Sequence, residues 1–162
     1  WSLEYEFDLH LVMGGYGFAD YDDSGDPIFG KRDQITITNS FNSQYIFSRN
    51  LESDIRMRYY HSTVDYHEYF DLGLDGEVYP NSFANELSTV FGAFTIDAVA
   101  TWRFSPGSEL NVTWKNAIYS SGEDPHVPYL DDVKNLPSLE QSNSISFKLL
   151  YYIDAWDLKH RL

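Results

Sequence analysis

Hydrophobic and polar residues alternate with a period of two along most of this chain. From Leu3, apolar side chains stand at Leu3, Tyr5, Phe7, Leu9, Leu11 and Met13, while Glu4, Glu6, Asp8 and His10 fill the positions between them. Strict alternation gives an extended strand two chemically opposite faces. A helix would bring Glu4 and Asp8 onto one side with Leu11, so the segment has no helical apolar stripe.

Five further segments repeat the pattern. Residues 35–47 set Ile35, Ile37, Phe41, Tyr45 and Phe47 against Thr36, Thr38, Ser40, Asn42 and Gln44. Residues 51–61 set Leu51, Ile55, Met57 and Tyr59 against Glu52, Asp54, Arg56 and Arg58. Residues 88–104 set Val90, Phe94, Ile96, Ala98, Ala100, Trp102 and Phe104 against Thr95, Asp97 and Arg103. Residues 109–119 set Leu110, Val112, Trp114 and Ile118 against Asn111, Thr113 and Lys115. The last segment carries Ile145, Phe147, Leu149, Tyr151 and Ile153 opposite Ser144, Ser146 and Lys148, and is expected to be the terminal strand. Aromatic and β-branched residues in this arrangement suit a pleated sheet.

The connections separate barrel from sandwich. Ser48-Arg49-Asn50 and Ser105-Pro106-Gly107-Ser108 have the length and chemistry of hairpin turns. The other three connections, residues 14–34, 62–86 and 120–142, read as long loops. Long loop alternating with tight turn is the rhythm of an up-and-down barrel with two unlike rims. A soluble sandwich has shorter strands and more even connections. Strands of about eleven residues, at ~3.3 Å rise and ~40° tilt, cover ~28 Å, close to the ~25 Å apolar band of an outer-membrane barrel. The expected fold is all-β: an antiparallel up-and-down transmembrane β-barrel segment of about six strands, with long outer loops and tight inner turns. Residues 1–162 form one such segment. Single-chain barrels start at about eight strands, and the bilayer does not tolerate bare strand edges. The partners expected are therefore the lipid bilayer, additional strands from the same or another chain, and other proteins of a larger assembly. In that setting Trp102, Phe104 and Trp114 would form an aromatic girdle near the short turn.

Composition narrows the classes. The 162 residues suit a single domain, and aromatic residues make up 17%. No apolar run approaches the length of a transmembrane helix. Cysteine is absent, so there is no disulfide framework and no thiolate metal site. A net charge of −14 argues against nucleic acid as a partner. Most of the acids fall in the three long connections, which hold only three bases, Lys31, Arg32 and Lys134. Charges inside the strands nearly balance and sit on the polar parity, where Glu6 or Asp8 would pair with Arg56 or Arg58. The chain opens at Trp1 inside a patterned segment, without a signal peptide, and reads as a processed or excised piece.

Two runs carry a resemblance. Trp102-Arg103-Phe104-Ser105-Pro106-Gly107-Ser108-Glu109-Leu110-Asn111-Val112-Thr113-Trp114-Lys115-Asn116 is one, and Asn143-Ser144-Ile145-Ser146-Phe147-Lys148-Leu149-Leu150-Tyr151-Tyr152-Ile153-Asp154 is the other. Both resemble the end of a family of large Gram-negative outer-membrane proteins of unassigned function. There a module similar to carbohydrate-binding family 9 precedes a C-terminal β-barrel. The resemblance implies an outer-membrane location and places this chain in the C-terminal part of a larger barrel. It implies no catalytic residues. Ala155 to Leu162 continue past the point where the resemblance would end the chain.

Candidate chemistry is sparse. Asp20, Asp22, Ser24 and Asp26 alternate ahead of a turn as in the first half of a calcium loop, yet the twelfth position, where a bidentate Glu is needed, is Lys31. These four are the metal candidates, and diffuse binding of divalent cations by the acidic loops is the broader expectation, with no other cofactor. His61 and His67, with Asp65 and Glu68, lack defined ligand geometry. No G-x-S-x-G elbow or other nucleophile context occurs, and Gly14-Gly15-Tyr16-Gly17 has no phosphate-loop pattern. Aromatic residues of the loops (Tyr16, Phe18, Tyr21, Phe29, Tyr66, Tyr69, Phe70, Tyr79, Phe83, Tyr119, Tyr129) would either stack on sugar rings or, as the better expectation, pack on one another. The function expected is non-enzymatic: a pore, a membrane anchor, or a wall of a larger membrane assembly. The alternative is a soluble β-rich carbohydrate-binding or carbohydrate-active domain, told apart by whether the protein needs detergent.

Overall fold

The computed structural model describes residues 1–81 and 87–153. Strand β1 (Ser2–Tyr21) pairs with β2 (Pro27–Ser48), which pairs with β3 (Leu51–Leu72). Strand β4 (Val78–Asn81) and strand β5 (Thr89–Ser105) share the far side of β3. Strand β6 (Ser108–Gly122) follows β5, and β7 (Gln141–Leu150) closes the order β1-β2-β3-β5-β6-β7. The result is one antiparallel seven-stranded sheet, all neighbours in sequence order. It is open: β1 and β7 lie at its two edges and do not pair with each other.

The six long strands fall on the six alternating segments, and both tight turns lie where turn chemistry predicts, at Arg49-Asn50 and Pro106-Gly107. Two of the three long loops, however, are not loops. Residues 14–34 are mostly hairpin: β1 runs on to Tyr21, β2 starts at Pro27, and Asp22–Asp26 closes the turn. Their alternation is hidden by bulges, the first between Val12 and Gly15 and the second between Phe18 and Asp20. Each extra residue swaps the parity of everything beyond it. At the first bulge Gly14 has φ +61°, which a side chain would strain, and its N–H donates to Asp33 Oδ1 at 2.6 Å. Likewise β3 extends to Leu72 and turns through Gly73–Glu77 into β4, too short to show a period. Only the third connection is a true excursion. It carries helix α1 (Tyr129–Asn135) and a single 3-10 turn, Leu136–Ser138.

The expected terminal strand also shifts. β7 begins at Gln141 and ends at Leu150, so Ile145, Phe147 and Leu149 are in the strand, while Tyr151 and Ile153 lie past its end. The ladder stops because Leu150 pairs with Glu109 and β6 begins at Ser108, leaving no partner backbone beyond. Tyr152 N–H instead donates to Ser108 Oγ at 2.9 Å. The tail from Ala155, with His160, and loop positions Phe83 and Glu86 lie outside the described residues.

Register carries parity across the whole sheet. One row reads Leu3, Ser43, Ile55, Ala98, Trp114, Ile145, and the next row on the same face reads Tyr5, Phe41, Met57, Ile96, Asn116, Asn143. The opposite face carries Glu4, Asn42, Arg56, Asp97, Lys115 and Ser144 in one row. A single cleft of about 580 Å³ touches Glu4, Asn42, Arg56, Asp97 and Lys115, side chains of five successive strands. The sheet therefore curls with its polar face inside. The apolar face is convex and open: Leu3 and Phe7 are each 55% exposed and Phe147 is 72% exposed. Among the described residues no helix is long and apolar enough to cross a membrane.

Replacing Gly14 with valine should cost about 1–2 kcal/mol, because the left-handed conformation is unfavourable for a residue with a Cβ. Denaturant unfolding would register this as a lower midpoint, with Gly17→Ala as a comparison whose backbone has no positive φ.

Candidate functional site

Two constellations stand out, one on each face of the sheet. On the convex side the excursion between β6 and β7 folds back over the sheet as a strap. Leu136 packs into a small core with Tyr59 and Ile118, joined by Phe94, Tyr129, Val133 and Leu139. The strap's buried Asp132 is the polar centre of this contact. Its Oδ2 accepts from Tyr59 OH at 2.6 Å and from Ser120 Oγ at 3.3 Å, and lies 3.1 Å from His61 Nδ1. Tyr59 and His61 stand two apart on β3, so both reach the same face, and Ser120 belongs to the row of His61. Gly92 lies between them in that row; a Cβ there would collide with Ser120 Oγ and Asp132 Oδ2. Tyr129 OH accepts from Asn39 Nδ2 at 2.8 Å, and its ring meets those of Tyr59 and His61.

Electrostatics fits an anchored carboxylate. Burial pushes the Asp132 carboxyl up, but the hydrogen bonds from Tyr59, His61 and Ser120 outweigh it and hold the group below its ordinary value. The strap also approaches β3 at its start, where His126 Nε2 lies 3.8 Å from Asp65 Oδ2. The cluster is not a nucleophilic triad: Ser120 and His61 both address the carboxylate rather than each other.

On the concave side acids Glu4, Glu6 and Asp8 come from β1, uncharged Thr38, Ser40 and Asn42 from β2, and Glu52, Asp54, Arg56 and Arg58 from β3. Glu4 Oε2 accepts from Asn42 Nδ2 at 3.4 Å, Asn42 Oδ1 accepts from Arg56 Nε at 3.1 Å, and Lys115 lies 3.2 Å from Asp97. The direct pairing of Glu6 or Asp8 with Arg56 or Arg58 does not form. Strand β2 separates the two sets, putting their backbones roughly 9.6 Å apart, and Arg56 satisfies itself on Asn42. These residues instead line one cleft of about 430 Å³.

The metal candidates do not converge. Asp22 Oδ1 accepts from the N–H groups of Ser24 and Asp26 and so closes the hairpin turn, while Asp20 Oδ1 accepts from Tyr21 N–H. Among the described residues no group of three or more His, Asp or Glu side chains is placed to hold a metal ion. His61 and His67 take separate partners, Asp132 and, at 3.0 Å, Asp33. Loop aromatics do pack on one another: Tyr16 on Phe70, Phe18 on Tyr21, and Tyr66 stacked on Tyr69. Trp102 and Phe104 are neighbours beside the Pro106-Gly107 turn, with Tyr151 stacked on Phe104. Trp114 shares their face but stands two rows further in, opposite Ala98, with its indole N–H donating to Asn143 Oδ1. Sequence reasoning missed Asp132 altogether. The one available signal was Tyr129-Leu130-Asp131-Asp132-Val133-Lys134, a short amphipathic stretch inside a presumed loop.

The whole chain, residues 1–162, matches a family described as a domain of unknown function, DUF5916. The chain belongs to that family. No curated protein and no solved structure matches.

Asp132→Ala should lower stability by about 2–3 kcal/mol, since it strands buried donors that served a charged acceptor. Asp131→Ala, whose exposed side chain pairs with Lys134 on the same helix, should change it by less than ~0.5 kcal/mol. Amide exchange over residues 123–140 should rise in the first variant alone. Protection factors over the same residues, with the intrinsic pH dependence of exchange divided out, should fall as pH falls. A carboxyl held below its unfolded value contributes stability above roughly pH 4, and that contribution is lost as pH drops through the lower folded value.

Proposed function

We propose that this member of the DUF5916 family is a non-enzymatic wall segment of an outer-membrane β-barrel, serving as a pore lining, a membrane anchor or part of a larger membrane assembly. One observation carries the reading: a long, two-faced sheet curls with its charges inside and leaves its apolar face uncovered. A soluble sheet buries that face against a second layer. Here the strap covers only one end of it, and Leu3, Leu9, Ile145 and Leu149 remain half or more exposed. Lipid hydrocarbon is the environment in which such a face is stable.

The outline of the apolar face supports strand tilt. On β6 and β7 its uncovered part ends at the row of Trp114 and Ile145; Asn116, Asn143 and Gln141 follow, and Ile118 lies beneath the strap. On β1 it continues through Leu9 and Leu11 to Met13. A band that climbs from one edge of the sheet to the other is what tilted strands present to a planar membrane. Trp102, Phe104, Tyr151, Tyr45 and Phe47 cluster toward the turn end, where interfacial rings are favoured. The free edges of β1 and β7 require strands from elsewhere to complete a wall. The acidic hairpin tips around Asp22 and Asp75 would face outward and attract divalent cations. At Asp75 a hydrogen bond from Tyr79 OH keeps the carboxyl below its ordinary value, and so charged.

The soluble carbohydrate-binding alternative draws on the small core under the strap. Spin labels decide between the two. A label at Ala98, on the convex face, should be accessible to oxygen and shielded from water-soluble relaxers in vesicles, and one at Asp97 should show the reverse. Water-like accessibility at Ala98 would overturn the membrane reading. Ala98→Arg should cost about 2–4 kcal/mol of stability in lipid if Ala98 lies near the bilayer midplane. For topology, cysteines at Asp22, Asp75 and Asp124 should react with an impermeant maleimide on intact cells, while one at Asn50 should not.

A further inference from the structure

We infer that the concave cleft between β1 and β3 is a binding site for small zwitterionic solutes that carry an ammonium and a carboxylate at opposite ends, such as short peptides. Glu6, Ser40 and Arg58 occupy one row, directly opposite one another through β2, and Asp8 and Thr38 occupy the next. The cleft they line is about 430 Å³ and holds only polar and charged side chains.

Within this cleft Arg56 donates to Asn42, and further along the concave face Lys115 pairs with Asp97. Glu6, Asp8 and Arg58 make no side-chain hydrogen bond or ion pair with any described residue. Two unpaired carboxylates thus stand on one wall, and on the other the unpaired guanidinium of Arg58 stands beside Arg56. The floor is the hydroxyls of Ser40 and Thr38. With backbones roughly 9.6 Å apart the two sets attract each other only weakly through water. A solute with an ammonium at one end and a carboxylate at the other spans that gap. It meets the carboxylates with its ammonium and the planar fork of Arg58 with its carboxylate. A simple anion meets Arg58 but is repelled by Glu6 and Asp8, and a simple cation meets the converse. The charge pattern therefore selects for dipolar solutes. The site rests on the concave face alone, and holds whether or not lipid covers the convex one.

The test is titration of the folded, detergent-solubilised protein with glycylglycine, followed by saturation-transfer NMR, with acetate and methylammonium as single-charge controls. Glycylglycine should bind at least tenfold more tightly than either control, and its affinity should weaken as salt is raised. Arg58→Gln, and the double change Glu6→Gln with Asp8→Asn, should each reduce glycylglycine affinity at least tenfold. Both variants should retain the β-sheet circular dichroism of the parent, because they alter exposed side chains. Lys148→Gln, a cation change outside this cleft, should leave the affinity unchanged. Acetate binding as well as glycylglycine, or an Arg58→Gln variant binding like the parent, would overturn the inference. So would the absence of any glycylglycine binding, the result expected if Glu6 and Arg58 close on one another in solution. A protein that fails to enter vesicles yet binds glycylglycine would sink the membrane reading and leave this one standing.

Discussion

The antiparallel ladder keeps one parity of each strand on one side of the sheet from β1 to β7, and the rest of the structure depends on that register. Six strands of alternating residues have two faces each, and only a common register merges them into one apolar and one polar surface. A slip of one residue at β2–β3 would set Arg56 beside Phe41 and Arg58 beside Asn39, in the rows of Tyr5 and Phe7, and break both surfaces at once. The two tight turns, at Arg49-Asn50 and Pro106-Gly107, allow little slack for such a slip. Register shifts occur beside both turns, between Ile46 and Ser48 and between Arg103 and Ser105. They occur again toward the far ends of β1 and β2, between Val12 and Gly15, Phe18 and Asp20, and Lys31 and Arg32; the stretch between them stays in register.

From that register the division of chemistry follows. On the concave side, charge is tolerated because water reaches it, and neighbouring strands supply opposite signs: Arg56 stands between Asn42 and Asp97, and Asp97 stands opposite Lys115. On the convex side the one buried carboxylate among the described residues, Asp132, is brought in from outside the sheet. It is tolerated there because three side chains meet one carboxylate oxygen. His61 and Ser120 are polar residues on an apolar parity, and they look out of place until the strap arrives above them. Asn39, Asn116 and Gln141 mark the same end of the face. Under the strap the convex surface combines polar His61 and Ser120 with apolar Tyr59, Phe94 and Ile118.

Much of the architecture was legible in the residues alone. The period of two decides that a segment is extended and which of its side chains share a face, since successive Cβ atoms point to opposite sides whatever lies beyond. Turn chemistry at Pro106-Gly107 is equally local, and so both turns and six strands could be read from Ser2 to Leu150. The reading failed where the backbone broke its own period. A bulge adds one residue and reverses parity, so residues 14–34 lost their alternation without ceasing to be strand. The end of β7 depended on where its neighbour began, and nothing in Tyr151 or Ile153 records that β6 starts at Ser108.

The sequence by itself determined the strands, their two faces, the tight turns and the concentration of acid in the connections, because each depends on residues adjacent in the chain. The tertiary structure decided which face is concave and how far the hairpins run. It also decided that Asp132 meets Tyr59 and His61, more than seventy positions away, and that Glu6 faces Arg58 across β2 while Asp22 is spent on its own turn. Those are contacts between distant segments, set by sheet curvature, cross-strand register and the path of the strap. Local alternation leaves all three free.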